Sequence, residues 1–283
     1  MARDDAWLRR AGRVDRSEDD SGAAKLDTKV AYSARVNNYW RGGKDNFAAD
    51  REAAEQAVKA FPALPEAVRA GQAFRQRVAR YLAAETGVRQ FLDLGTGLPT
   101  GETIYQIAES LAPGGRVVYT DNDPMVLSHA RALLTDSAPG SCAYVHADLR
   151  DTGAVLTAAA QTLDLTGPVA VLLVSVLHLI PDTDDPYAIV SRLMEATAPG
   201  SHLVIVHPSS DIRPEASAQM AANLNQMVAQ KRTYRSHGEV SRFFGGLELV
   251  EPGVVPLPQW RPDTADEAAV PTLAWSGVAR KSQ

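Results

Sequence analysis

Phe91-Leu92-Asp93-Leu94-Gly95-Thr96-Gly97-Leu98-Pro99-Thr100 is the stretch that decides the fold class. Three of its first four residues are large and apolar, as expected for a strand that a parallel sheet buries on both faces. Gly95 and Gly97 follow, and glycine allows both a tight turn and the close approach of a ligand to the backbone. The stretch therefore predicts a buried strand that ends in a ligand-binding turn, where open α/β sheets carry their sites.

Downstream of this turn, short apolar runs alternate with helical patterns, which is typical of a parallel sheet with helices on both faces. A proline-rich link separates the last two predicted strands, so one of them is expected to be antiparallel. The predicted fold is α/β, a Rossmann-like, doubly wound, mostly parallel seven-stranded sheet with an antiparallel C-terminal strand. The predicted strands lie near Arg89–Leu94, Arg116–Thr120, Ala143–His146, Val169–Val174, His202–His207, Leu247–Val250 and Thr272–Ala279.

The chain ahead of the first strand divides into two parts. Residues 1–28 mix many charges with few large apolar side chains, so we predict a disordered tail. Residues 29–87 are predicted to form an N-terminal helical extension, with helices near Phe47–Ala60 and Leu64–Glu85. The segment Tyr32–Asn46 is aromatic, basic and glycine-containing, without a clean period. Residues 88–283 then form the α/β domain.

Composition narrows the classes of function. The formal net charge is -5 and no basic stripe is visible, which argues against a nucleic-acid partner. No stretch of about 18 uncharged apolar residues is present, so we expect no membrane span. The single cysteine, Cys142, excludes an internal disulfide and fits a cytoplasmic protein. A homodimer stays open as an oligomeric state.

Three successive predicted strands end in an acidic residue, at Asp93, Asp121 and Asp148. Asp93 suits a cationic ammonium better than a pyrophosphate, since like charges repel. Asp121 lies at the distance from the glycines where nucleotide-binding folds place the carboxylate that binds the ribose hydroxyls. Asp148 can accept from an adenine amine while Leu149 contacts the ring. A solvated turn residue is the alternative for Asp121, and a simple strand-to-helix turn is the alternative for the glycines.

The fourth and fifth strand ends carry Ser175, His178 and His207. Ser175 should line the crevice near the reacting centre. His178 is a candidate general base, because histidine titrates near working pH, or else a residue packed behind a cofactor. His207 is a candidate substrate contact. The histidines lack the spacing of a metal site, so we predict no metal.

The chain resembles class I S-adenosylmethionine-dependent methyltransferases in its D-x-G-x-G loop, its later strand-end acids and its last strand pair. It is more similar still to an actinobacterial group known as S-adenosyl methyltransferases. That likeness spans about Ser33 to Arg280 and is carried by long shared runs. They are R-x-G-G-K-D-N-F-A-A-D-R-E-A-A from Arg41, F-L-D-L-G-T-G-L-P-T from Phe91, D-N-D-P from Asp121, V-L-H-L-I-P-D from Val176 and L-V-E-P-G-V-V from Leu249.

The resemblance implies that residues 88–283 are a class I methyltransferase domain and that S-adenosylmethionine is the cofactor. It also implies that Tyr39–Asn46 forms a cover over the cofactor, although these residues could equally dock the first helices on the sheet. One departure concerns Thr103 and Tyr105, where the group commonly has asparagine and histidine. We predict that the cofactor is bound by Tyr39, Arg41, Asp93, Gly95, Thr96, Gly97, Asp121, Asn122, Asp148, Leu149 and Ser175.

The function expected from these features is methyl transfer to a small molecule, with secondary metabolites among the candidates. The acceptor is expected to meet His207 and the helix near Pro214–Gln230, through Met220, Asn223, Asn225 and Met227. One alternative is a protein that binds S-adenosylmethionine or its demethylated product without turnover. A nicotinamide-dependent reductase is a weaker alternative, because Thr100 breaks the G-x-G-x-x-G fingerprint.

Overall fold

The structure is a computed structural model that describes residues 27–111, 113–133, 138 and 140–282. Almost all of the predicted tail, residues 1–28, lies outside the described residues. Within the described part, none of the helices is both long enough and apolar enough to cross a bilayer.

One mixed sheet forms the centre of the fold, with helices on both of its faces. Its strands are β1 (Gln90–Leu94), β2 (Arg116–Asp121), β3 (Cys142–His146), β4 (Ala170–Val174), β5 (His202–Pro208), β6 (Glu248–Leu249), β7 (Val255–Pro256) and β8 (Ala274–Arg280). The spatial order is β3-β2-β1-β4-β5-β8-β6, and the two-residue β7 pairs with β8 beside this path. Strands β1 to β5 are parallel, whereas β8 runs antiparallel to β5. The predicted fold class is thus confirmed, with a short eighth strand that the sequence did not predict.

The helices flank the sheet and follow most of the predicted pattern. They are α1 (Ser33–Trp40), α2 (Ala48–Ala60), α3 (Leu64–Ala84), α4 (Ile104–Leu111), α5 (Pro124–Leu133), α6 (Thr152–Ala159), α7 (Pro186–Glu195), α8 (Pro214–Met227), α9 (His237–Arg242) and α10 (Ala265–Ala268). Helix α1 lies in the segment for which the sequence showed no clean period. Helix α4 begins at Ile104, three residues after Gly101, whose left-handed conformation with φ of 69° does not belong to a helix.

Side chains of β1 alternate between the two faces of the sheet, as the pleat requires. Leu92 and Leu94 pack into the core under α6 and α7, and Phe91 packs on the other face against Phe74 of α3. Both faces are therefore covered, and the carboxyl ends of the strands form an edge that is free to hold a ligand.

The N-terminal helices cover part of that edge. Ala53, Ala57 and Phe61 belong to a third apolar cluster, which includes Met220 and Leu224 of α8. This packing places α1 and α2 beside the carboxyl ends of the strands. The division of the chain at residue 87 into an extension and a domain stays a prediction.

Candidate active site

A cavity of about 690 Å³ lies where the strands β1, β2, β4 and β5 end, between the sheet and helices α1, α3 and α8. It extends from the glycine loop after β1 to an apolar region beside α8. Its volume is within the range of small-molecule sites. The described residues that line it and that matter below are Ser33, Trp40, Arg41, Arg75, Asp93, Gly95, Thr96, Gly97, Asp121, Asn122, Asp148, Leu149, Ser175, His178, Met220, Arg232, Tyr234 and Leu273.

The loop after β1 is held against the neighbouring strands. The backbone N–H groups of Gly95 and Thr96 both donate to the carbonyl of Thr120, at 2.9 and 3.1 Å. Gly95 has φ of 70°, and a Cβ atom there would lie 2.4 Å from Cγ2 of Val176. Glycine is thus required by conformation and by space, and the loop presents bare backbone to the cavity.

Asp121 closes this loop from β2. One of its carboxylate oxygens accepts from the N–H of Gly97 at 2.8 Å, and the other accepts from the N–H of Asp123 at 2.9 Å. Burial raises its pKa, and these backbone hydrogen bonds lower it. Each carboxylate oxygen has a second lone pair, so Asp121 can still accept from two hydroxyls of a ligand in the cavity.

Asp93 lies in the cavity wall, yet it is not the free carboxylate that the sequence suggested. It is 1% exposed and pairs with Nη2 of Arg75 from α3, which also donates to Oγ1 of Thr96 at 3.0 Å. Burial raises the pKa of Asp93, and the Arg75 charge opposes that rise. The sequence reasoning missed Arg75, because helical periodicity does not show which polar residue of a helix points into the sheet edge.

The end of β3 brings Asp148 and Leu149 to the same cavity. Leu149 is buried, whereas the Asp148 carboxylate accepts from Nη2 of Arg150 at 2.6 Å and from its Nε at 3.0 Å. These bonds lower the pKa of Asp148, so it is ionised at neutral pH. Asn122 lines the cavity next to this pair, and its carbonyl lies 3.2 Å from Nε2 of His146.

Arg41 reaches the cavity from the residue that follows α1, while Tyr39 does not. Nη1 of Arg41 donates to Oγ1 of Thr100 at 3.0 Å, and its buried Nε has no hydrogen-bond partner among the described residues. Burial and the nearby Arg75 lower the pKa of Arg41 to about 10. The Tyr39 hydroxyl instead donates to Glu55 at 3.1 Å, away from the cavity. Tyr39 is thus not part of the cavity wall, and its predicted contact with the cofactor stays a prediction.

Ser175 and His178 follow β4 and line the cavity. Ser175 has φ of 59°, a left-handed conformation that is rare outside glycine, and its N–H donates to the carbonyl of Val206 at 2.9 Å. His178 is 3% exposed, and neither of its ring nitrogens has a hydrogen-bond partner among the described residues. Burial and the neighbouring Arg232 lower its pKa well below the ordinary value, so the ring is neutral at pH 7.

Of the residues predicted to contact the acceptor, some line the cavity and others lie outside it. Met220 lines the cavity from α8. His207 is fully buried outside it, with Nδ1 2.8 Å from the carbonyl of Pro208 and Nε2 2.8 Å from Nη1 of Arg235. Asn223 faces α2 and donates to the carbonyl of Gln56 at 3.3 Å. His207 and Asn223 therefore do not line the cavity, and their contact with the acceptor stays a prediction.

Comparison with known proteins identifies the family to which this geometry belongs. The sequence profile of a family described as S-adenosyl methyltransferase matches residues 19–282. The chain belongs to this family. The predicted resemblance and the predicted cofactor, S-adenosylmethionine, are thereby confirmed.

Two solved structures are similar to this S-adenosyl methyltransferase family member over most of its length. A DUF574 family protein from Streptomyces avermitilis is 41% identical, with a TM-score of 0.86, and the match covers 90% of this chain and 99% of that one. A candidate methyltransferase from Thermobifida fusca is 37% identical, with a TM-score of 0.85, and the match covers 94% and 100%. Among curated proteins, none matches the chain.

Proposed function

We propose that this protein transfers the methyl group of S-adenosylmethionine to a small molecule. The observation that carries the proposal is the single cavity that begins at the Gly95–Gly97 loop and Asp121 and continues past Ser175 to an apolar wall at Met220. A site that holds a donor and an acceptor in one enclosed space supplies the orientation on which such a reaction depends.

The residues at the loop end fit the cofactor. Gly95 offers bare backbone where a Cβ would collide with Val176, and Asp121 keeps lone pairs for ribose hydroxyls. The unpartnered Nε of Arg41 is suited to the carboxylate of the methionine part. Asn122, Asp148 and Leu149 are placed to frame the adenine.

When bound, S-adenosylmethionine would supply an electrophilic methyl group on a sulfonium, with S-adenosylhomocysteine as the leaving group when a nucleophile of the acceptor bonds to the methyl carbon. The protein residues bind and orient the two molecules and exclude water from the space between them. His178 is neutral at pH 7, so one of its ring nitrogens can accept a proton or a hydrogen bond from an acceptor hydroxyl. We therefore propose that His178 contacts the reacting group of the acceptor.

Calorimetry tests the cofactor part of this proposal. Asp121→Ala should weaken the binding of S-adenosylmethionine by about 10- to 100-fold, because it removes charged acceptors for the ribose and frees Gly97. Asp263→Ala is the matched control, since Asp263 is exposed and does not line the cavity. Equal affinity in wild type and Asp121→Ala would contradict the ribose assignment.

Turnover tests the transfer part. The wild-type protein, given S-adenosylmethionine and a panel of phenols and carboxylic acids, should release S-adenosylhomocysteine with at least one acceptor. Tight cofactor binding without release across a broad panel would favour the alternative function, a protein that binds the cofactor without turnover.

A further inference from the structure

Arg232 lines the cavity beside Ser33 and Trp40 of α1. It lies in the segment after α8, and its backbone is held by Asn225 on that helix. The N–H of Arg232 donates to Oδ1 of Asn225 at 2.7 Å, and the carbonyl of Arg232 accepts from Nδ2 at 3.0 Å. The side chain is 8% exposed and lines the cavity. The two hydrogen bonds to Asn225 therefore hold the backbone of Arg232 against helix α8.

The guanidinium of Arg232 has few partners. Its Nη2 donates to Oγ of Ser33 at 3.2 Å, and its central carbon lies 5.9 Å from the ring centre of Trp40. Its buried Nε has no hydrogen-bond partner among the described residues. Burial lowers the pKa of Arg232, and a hydrogen bond to the phenol of Tyr234 raises it by less.

The other two fully buried arginines among the described residues each have a counter-charge. In the described residues, three arginines are buried: Arg35, Arg232 and Arg235. Arg35 pairs with Asp50 at 3.0 Å, and Arg235 pairs with Asp182 at 2.7 Å. No described carboxylate forms an ion pair with Arg232. A buried charge without a counter-charge is unfavourable, so a ligand anion that supplies the counter-charge should bind more tightly.

The surroundings of Arg232 indicate what carries this anion. Met220 and Leu273 give the cavity apolar walls, and Trp40 adds an aromatic surface. Next to Arg232 stands His178, whose two ring nitrogens are buried and unpartnered. An apolar molecule with one anionic group and a second polar group matches these walls.

We propose that Arg232 binds the carboxylate of the methyl acceptor, and that the acceptor is a small, largely apolar carboxylic acid. The inference rests on the proposed function, because it assumes that the part of the cavity around Arg232 holds the acceptor. A guanidinium is suited to this role, since it donates two parallel hydrogen bonds to one carboxylate.

The cofactor also has a carboxylate, but other arginines are nearer to its expected place. Arg41 bonds to Thr100 and Arg75 bonds to Thr96, so both lie at the glycine loop. Arg232 lies instead against Ser33 and Trp40, beside the residues that follow β4. The two carboxylates are therefore assigned to different arginines of the cavity wall.

The test uses benzoate as the probe and benzamide as its uncharged analogue. Both are titrated by calorimetry into the full-length protein saturated with S-adenosylhomocysteine. Benzoate should bind at least about tenfold more tightly than benzamide, and Arg232→Met should remove that preference. Arg232→Lys should retain part of it. Arg192→Met is the matched control, because Arg192 is exposed on α7, and it should behave as wild type.

The affinity for S-adenosylhomocysteine is measured in every variant, and it separates the two proposals. Unchanged affinity in Arg232→Met, with loss of benzoate binding, supports the assignment and shows that the variant is folded. An Arg232→Met variant that binds benzoate like wild type overturns it, as does a wild-type complex that binds no benzoate at millimolar concentration. A loss of S-adenosylhomocysteine affinity as large as that in Arg41→Met would assign Arg232 to the cofactor carboxylate and also overturn it. Failure of the wild type to bind S-adenosylhomocysteine would instead contradict the proposed function.

Discussion

Gly95 shows at the level of one residue how the cofactor loop depends on an absent side chain. Gly95→Ala would place a methyl group 2.4 Å from Val176 and would force φ of 70° on a residue that disfavours it. We expect the loop to shift, with a lower melting temperature and a loss of S-adenosylmethionine affinity of at least about tenfold. Calorimetry and thermal denaturation measure the two effects.

Two further variants separate the collision from the backbone strain. Gly140→Ala has a similar φ of 80° but open space around the new methyl group, so it should report the strain alone. Val176→Gly in the Gly95→Ala background should restore part of the affinity, because it removes Cγ2 and Cβ of Val176, which would lie 2.4 and 2.6 Å from the new methyl group. If the double variant is as weak as Gly95→Ala, the close contact is not the cause.

Single residues were also where sequence reasoning was least complete. The acids at strand ends could be placed, because parallel strands bring their carboxyl ends to one edge of the sheet. Their partners could not: Arg75 for Asp93 and Arg150 for Asp148 depend on side-chain directions that no period specifies. Arg232 was missed for the same reason, since nothing in the sequence distinguishes a buried arginine from an exposed one.

At the level of elements, a buried ion pair joins α1 to α2. Arg35 and Asp50 are 1% and 0% exposed, and Asp50 also accepts from the N–H groups of Tyr32 and Phe47. Asp50→Ala leaves the Arg35 charge buried without a counter-charge. We expect a loss of about 3–5 kcal/mol in the free energy of unfolding, measured by urea denaturation.

The Asp50→Ala variant should lose structure in α1 and α2 before the whole protein unfolds. Hydrogen exchange in Asp50→Ala should quicken in α1 and α2, while the sheet strands stay protected near wild-type levels. Glu52→Ala, an exposed change on the same helix, is the control and should leave exchange unchanged. Uniform loss of protection across the sheet would contradict an independent role of the pair in these helices.

Helix α1 was missed because its buried face is not apolar. Ser33, Arg35 and Asn38 are buried beside Val36 and Trp40, so no hydrophobic period appears. The other helices could be predicted because their starts carry local signals. Asp151 and Asp185 accept from helix N–H groups, and Ser236 forms a capping box, as their sequences indicate.

At the level of the whole molecule, buried histidines make stability depend on pH. His207 holds Arg235 through Nε2, so a proton on that nitrogen would face a guanidinium. Burial accordingly lowers its pKa from 6.5 to about 4. The unfolded chain then binds more protons between these values, and the free energy of unfolding should fall as pH falls from 6.5 to 4, by up to about 1.4 kcal/mol per pH unit.

His207→Gln isolates this contribution, because the glutamine oxygen can still accept from Arg235 but does not titrate. The difference in unfolding free energy between wild type and variant should shrink on acidification, in urea melts at a series of pH values. The raised pKa values of Asp93 and Asp121 act in the opposite direction, but they are common to both proteins and cancel. Parallel curves would contradict the role of His207, and the exposed His237→Gln is the control.

The global fold was the most predictable level, since the strand and helix rhythm and the turn chemistry agree along residues 88–283. The exception is β7, which has two residues, too few to leave a period. The cavity as a volume could not be predicted, because it arises where α1, α3 and α8 pack over one sheet edge.

The antiparallel strand β8 has a consequence for the order in which the chain assembles. In the sheet it lies between β5 and β6, although its residues, Ala274–Arg280, come after those of β1 to β7 in the sequence. During synthesis, the backbone N–H and C=O groups on one edge of β5 therefore stay unpaired until these residues emerge. Such an open edge can pair with other chains. Nascent chains that stop before residue 274 should consequently be the species that chaperones retain and that aggregate first.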